Sequence, residues 1–435
     1  MIVDRFAGEH STGSARSVAA FENAVWSVLA HRPQAAKSLD VALALDPTLT
    51  AAHALRGFCA VSLARRETIA AARRHLEQAR AALSRDASDG ERALVEALAL
   101  AVEGRLLRAA ERLETRLSYH PHDILAFKLS HALRFMSGDA QGMLKATKSI
   151  LSRWSNAQEG YGFLLGCHAF ALEENGFYAQ AEKAGRTAVE IEPFDAWGAH
   201  AVGHVHEMRA TPDAGIDWLE QTRPLWAGCN NFGGHMAWHL ALCHVEKGRF
   251  DAALDLYDRE IRAAHTEDFR DIANAVSLLW RLRQEKAEVG RRWDELGEIA
   301  RRRAEDATLV FASLHGLLAA LGARDFRTAA RIRANLAERA KGDGDQSSVA
   351  SVVGLPIAAQ LAGDDACRNA GQVVKSLAAL GGSRAQRDIF LRALAAECSD
   401  TNEALAILNA RGKTGDRFDR AMRARLGRAT ERQVA

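Results

Sequence analysis

Three segments of the chain carry one pattern of apolar and polar positions: EGRLLRAAERL from Glu103, NGFYAQAEKAG from Asn175 and KGRFDAALDLY from Lys247. Gly104, Gly176 and Gly248 stand 72 residues apart, twice a repeat of about 36, close to the length of a helix–turn–helix unit. Each glycine marks a turn where a left-handed backbone costs little. Tyr178, Ala181 and Ala188 then supply the aromatic and small positions that let neighbouring helices approach. Pro47, Pro121 and Pro193 keep the same beat, 74 and 72 residues apart. Each closes a second helix, because proline lacks an N–H and restricts its predecessor. Helix pairs are predicted over 19–47, 51–86, 90–120, 124–154, 161–193, 196–226, 232–264, 269–304, 308–340, 348–380 and 383–426.

The unit 161–193 matches the tetratricopeptide pattern, so the expectation is an all-α fold, a helix-hairpin solenoid running through residues 1–435 as a single array. The segment 341–348 (KGDGDQSS) reads as a flexible joint between repeats, and residues 1–18 as a poorly ordered N-terminus.

Composition supports helices. Apolar residues make up 48% and aromatics 6%, with only 7 prolines, while alanine and leucine recur throughout. The 57 basic and 55 acidic residues nearly cancel to a formal charge of +2, which gives no support to nucleic-acid binding. The arginine-rich tail (Arg417, Arg420, Arg423, Arg425, Arg428, Arg432) is interrupted by acids and reads as a solvated helix face. Six scattered cysteines without a CxxC pair argue against a disulfide framework or a cysteine zinc site. No apolar run reaches the length needed to cross a bilayer. A cytoplasmic location without membrane contact is expected. Phosphate-binding, nucleophile-elbow and dinucleotide motifs are absent, which disfavours an NTPase, an α/β-hydrolase and a nicotinamide dehydrogenase.

The 16 histidines concentrate in the middle of the array. In such a superhelix the first helices line the concave surface, so their residues face the groove. When each hairpin is numbered so that the small residue after the turn (Ala181, Ala214, Ala253 or Ala329) is position 20, His200, His239 and His315 all fall at position 6. Glu174 and Glu207 fall at position 13 and His235 at position 2, nearly one stripe of a helix. His200, His204 and Glu207 share one face at i, i+4, i+7, His235 and His239 are again i, i+4, and His206 points the other way. Three readings fit this row: polar residues that only bond one another and water, a small-molecule pocket using imidazole and carboxylate as acid and base, or a site for a divalent metal such as zinc, iron or manganese. Most of the nearby tryptophans (Trp197, Trp218, Trp226) read as packing residues; Trp238, beside His239, could instead wall a pocket.

The stretch FALEENGFYAQAEKAGRTAVEIEPFDAWGAHAVGHVHEM, continuing to HMAWH, resembles the tetratricopeptide repeat protein 38 family. FKLSHALRF, GRRWDEL, GLP and GGSRAQRDIF extend the resemblance from about Glu22 to about Leu408. It implies an α-solenoid of atypical repeats and brings no activity with it. The residues matching the family pattern are His131, Glu174, His200, His204, Glu207, His235, His239, His315, Arg387 and Asp388; Ser313 and Val352 stand where the family has acids.

Taken together, the sequence points to a groove that binds a small molecule or metal. His200, His204, Glu207 and His239 are the candidate catalytic residues, and His200, His204, His235 and His239 the candidate metal ligands. His131, Glu174, Trp238, His315, Arg387 and Asp388 are the candidate ligand-binding residues, with Arg387 anchoring an anionic group. The alternative is an adaptor holding an extended peptide of a protein partner in its concave face.

Overall fold

The computed structural model describes residues 1–363, 370–413 and 415–434. These residues are helical almost throughout; the one sheet among them pairs Ile2–Val3 with Glu9–His10. Successive helices form hairpins, as in Thr50–Ser62 with Arg66–Ala82, Tyr161–Glu174 with Tyr178–Ile191, and Val310–Gly322 with Phe326–Arg339. First helices also pack on the next first helix, for example Thr50–Ser62 on Asp89–Val102 and Phe269–Gln284 on Val310–Gly322. No helix among the described residues is long and apolar enough to cross a membrane.

First and second helices differ in how they are buried. Tyr161–Glu174 is covered on nearly every side, from Gly162 to Cys167 and from Ala169 to Glu174, as expected of a helix that is apolar all round. Its partner Tyr178–Ile191 buries one stripe, Ala181, Gly185 and Ala188. A Cβ on Gly185 would meet the Gly198 carbonyl oxygen at 2.9 Å, so the missing side chain sets how closely the helices approach. Helices Ala35–Leu45, Leu106–Tyr119 and Tyr178–Ile191 each end two residues before the proline that marks them.

The turns repeat a backbone state more faithfully than a residue type. Gly104, Gly138, Gly176 and Gly248 are left-handed, and so are His31, Ala64, Ala210, Lys286 and Arg324 between other hairpins. This corrects the repeat numbering. Left-handed Gly176, Gly248 and Arg324 each precede the buried small residue by five positions, at Ala181, Ala253 and Ala329. The same offset from Ala210 reaches Gly215, which is buried, whereas Ala214 is exposed. His200 therefore stands one position earlier than His239 and His315, a rotation of about 100° on a helix.

Three further segments add detail to the array. Residues 1–18 are built into the fold: Phe6 is buried, and Asp4 accepts hydrogen bonds from the Phe6 and Gly8 amides and pairs with His10 at 2.7 Å. Within 341–348, Gly344 is left-handed and the helix Asp345–Val349 begins one residue later. The final pair becomes a hairpin, Arg384–Glu397 with Thr401–Ala410, followed by a third helix, Arg417–Val434. Cys367 and the Arg432 side chain lie outside the described residues. None of the five described cysteines forms a disulfide.

The chain divides into two compact units: unit 1 comprises 1–202 with 222–233, and unit 2 comprises 203–221 with 234–435. The divisions fall within helices Ala196–Met208 and Asn231–Glu246.

Candidate metal centre

In unit 2, His204 and Glu207 lie on helix Ala196–Met208, and His235 and His239 on helix Asn231–Glu246. His204 and His239 are almost wholly buried, at 0% and 2% exposure. One ring nitrogen from each of His204, His235 and His239 lies within 4.8 Å of the others. The rings of His204 and His239 are 4.4 Å apart between centroids.

Two of the rings are held from behind. His239 Nδ1 is 2.8 Å from Glu207 Oε2, and His235 Nδ1 is 2.9 Å from Asn274 Oδ1. A carboxylate only accepts, so His239 Nδ1 carries the hydrogen, and the amide oxygen asks the same of His235. Both Nε2 atoms then carry no proton, and they face each other at 3.2 Å. Burial, reinforced by the neighbouring His204, pushes His239 down to about 4. Burial and the adjacent His239 likewise hold His235 well below the ordinary imidazole value. Neutral imidazole is the form a metal requires.

Glu207 is placed by charge as well as by helix position. Burial alone would raise its pKa, but Lys413 and the hydrogen bond from His239 hold it well below the usual carboxylate range. Its Oε1 accepts from Lys413 and its Oε2 from His239, so it serves as an orienting carboxylate, with both oxygens engaged. Trp238, fully buried, stacks on His235 at 5.3 Å and meets His239 edge-on at 4.6 Å. It packs against both imidazoles. His206, set aside on helical geometry, borders the same small cavity as Glu207.

The remaining sequence candidates are buried as well. His200 belongs to unit 1, where it stacks on Phe170 and lies 4.9 Å from Trp197 and 5.2 Å from Phe232. His131, also in unit 1, sits among Phe127, Phe170 and Trp197. Glu174 and its neighbour Glu173 are buried at the end of Tyr161–Glu174. His315 in unit 2 bonds the Phe311 carbonyl at 2.9 Å and packs on Phe390. Arg387 donates to the Gly381 and Gly382 carbonyls, so the expected anion anchor instead fastens a loop. Asp388 is paired with Arg411 at 2.7 and 3.2 Å. Burial opposes its charge, but Arg411 and Lys413 hold its carboxyl well below the usual range.

Sequence reasoning missed Asn274, which lies 39 positions from the ring it orients, and Lys413, 206 positions from Glu207. Neither stands in a histidine-rich stretch, and no local spacing connects them to one. No protein-family model matches the chain.

Proposed function

We propose that unit 2 is a metal-binding module in which His204, His235 and His239 hold one divalent transition metal, with zinc the best match. The observation that carries this is the pair of Nε2 lone pairs 3.2 Å apart, each fixed by a hydrogen bond on the opposite side of its ring. Two lone pairs repel at that separation, and a shared cation turns the repulsion into two bonds. With zinc–nitrogen bonds of about 2.0–2.1 Å, a tetrahedral edge is about 3.3–3.4 Å, close to the distance found. The Glu207–His239 and Asn274–His235 bonds are the outer partners that ligating histidines ordinarily have.

The three imidazoles are the nitrogen donors that unit 2 itself brings to such a metal. A metal there would supply Lewis acidity. Glu207 would keep His239 in its ligating tautomer and Trp238 would keep water from the backs of the rings. Burial supports this reading over the peptide adaptor, since His204 and His239 offer almost no surface to a peptide. A reducing, cytoplasmic setting is part of the same proposal. The sequence resemblance supports membership of the tetratricopeptide repeat protein 38 family as part of the same proposal.

Elemental analysis of protein purified without an affinity tag tests the assignment. Stoichiometric zinc, iron or manganese, removed by chelator and restored by the same metal, is expected. Metal-free protein that takes up none of the three overturns it.

A further inference from the structure

Unit 1 carries an open groove of about 510 Å³ beside helix Ala140–Leu151, bounded by Gln141, Leu144, Lys145, Lys148, Ser149 and Asn175. Gln141, Lys145 and Lys148 follow one another at i, i+4 and i+7, so they share one face of that helix. Leu144 beside them is buried. Asn175 fixes the groove's end: its Nδ2 donates to the Ala171 carbonyl at 2.7 Å and to the Ala140 carbonyl, at the start of the lysine helix, at 2.8 Å. The left-handed turn at Gly176 then presents Phe177, 46% exposed, with its ring centre 5.8 Å from the Lys148 ammonium.

The charge of the groove is one-sided. No acid bounds it, and the exposed Lys145 and Lys148 form no ion pair among the described residues. Asp139, the acid nearest along the chain, is already committed. It caps the helix through the Gly142 amide at 2.8 Å and pairs with Arg134, which also holds Glu114 at 2.6 Å. The preceding second helix, Leu106–Tyr119, shows the opposite arrangement: Arg108, Arg112 and Arg116 have carboxylates at 3.3, 2.5 and 2.9 Å. Two ammoniums without counter-ions therefore flank an apolar strip formed by Leu144 and Phe177.

We propose that this groove is a docking site for an acidic peptide segment of a partner protein. One aromatic or aliphatic side chain of the peptide packs on Phe177 and Leu144, and flanking carboxylates meet Lys145 and Lys148. Lysine suits this place, because its stem covers apolar surface while its head stays in water to meet the anion. Opposite charge across the contact speeds encounter and rejects basic partners. Gln141 on the same face adds a side-chain amide for the peptide backbone. The groove is built on a second helix of unit 1 and uses none of the metal-centre histidines.

The test is fluorescence anisotropy of the fluorescein-labelled, end-capped peptide Glu-Asp-Phe-Glu-Asp titrated with the full chain. Lys-Arg-Phe-Lys-Arg and Glu-Asp-Ser-Glu-Asp serve as controls. Saturable binding of the first peptide is expected, with both controls about tenfold weaker or more, from repulsion in one and the missing apolar anchor in the other. Lys145→Glu combined with Lys148→Glu should weaken binding about tenfold or more, since two attractive pairs become repulsive. Both side chains are exposed, so circular dichroism and the thermal midpoint should be retained. Arg73→Glu combined with Arg74→Glu makes the same charge change on the exposed face of helix Arg66–Ala82 and should leave the affinity within about twofold, because distant surface charges are screened. No saturable binding of the acidic peptide overturns the proposal, and phosphatidylserine vesicles bound through the same two lysines would then make the occupant a membrane surface. Equal affinity for the serine peptide, or an equal loss in the Arg73 and Arg74 variant, overturns it as well.

Discussion

His131 in unit 1 and His239 in unit 2 are equally withdrawn from solvent, each 2% exposed. Both lie on first helices among aromatic rings. Their surroundings differ in one respect. His131 is bounded by Phe127, Phe170 and Trp197, and neither ring nitrogen makes a hydrogen bond among the described residues. His239 has Glu207 behind Nδ1 and His235 in front of Nε2. Burial makes both rings neutral. Only the polar partner fixes the tautomer and aims a lone pair at a neighbour, and that separates a packed histidine from a ligand.

The largest effect should come from exchanging the two. His239→Ala or His235→Ala should abolish stoichiometric metal in elemental analysis while circular dichroism stays helical, because the rest of the helix packing is retained. His131→Ala should leave the metal in place. Metal lost from the His131 variant alone would erase the distinction. Next, Glu207→Gln should weaken metal affinity about 10–100-fold by competition with a chromophoric chelator, the usual cost of losing an outer-shell carboxylate. Unchanged affinity would mean that Glu207 only neutralises Lys413.

Two smaller effects concern the scaffold. A Cβ on Gly176 would meet nothing within 4 Å, but its φ is +82°. Gly176→Val should thus cost about 1–3 kcal/mol in denaturant unfolding from backbone strain alone. Arg324→Gly, at the equivalent turn with φ +57°, should stabilise by up to about 1 kcal/mol, since a left-handed non-glycine costs about 1–2 kcal/mol and glycine returns part as chain entropy. Opposite signs at these two positions are expected; matching signs would show that the turn state is not what the substitutions report.

The unpartnered ring of His131 gives a pH signature. Burial, with Lys128 nearby, pushes it from 6.5 to about 3. Between those values the unfolded chain binds the extra proton, so stability falls as pH drops below 6.5, by up to about 1.4 kcal/mol per pH unit for one such group. His131→Phe should unfold less steeply with acid than the unaltered protein between pH 6.5 and 5. Parallel pH profiles would place the acid sensitivity in other histidines whose pKa burial lowers, such as half-buried His168 or buried His315.

Much of the fold was legible because hairpins are local. Pro121 stops a helix within two residues of itself, Gly176 sets a turn by its own φ, and Ala181 and Ala188 define a stripe through helical spacing alone. The i, i+4 pairing of His235 with His239 was legible for the same reason. Repeat numbering went wrong where a residue type stood in for a backbone state: Ala210 takes the left-handed turn without being glycine, so Ala214 was mistaken for the small contact residue that is in fact Gly215. His200, aligned on paper with His239 and His315, consequently stands one position earlier on its helix.

The sequence by itself determined the helices, their turns and the concentration of imidazoles on the middle first helices, since each follows from interactions within a few residues. Tertiary structure alone decided which imidazoles meet and in which tautomer. Asn274 and Lys413 reach the site from 39 and 206 positions away. An orienting hydrogen bond depends on a donor and an acceptor standing within about 3 Å in space, and no spacing along the chain encodes that proximity.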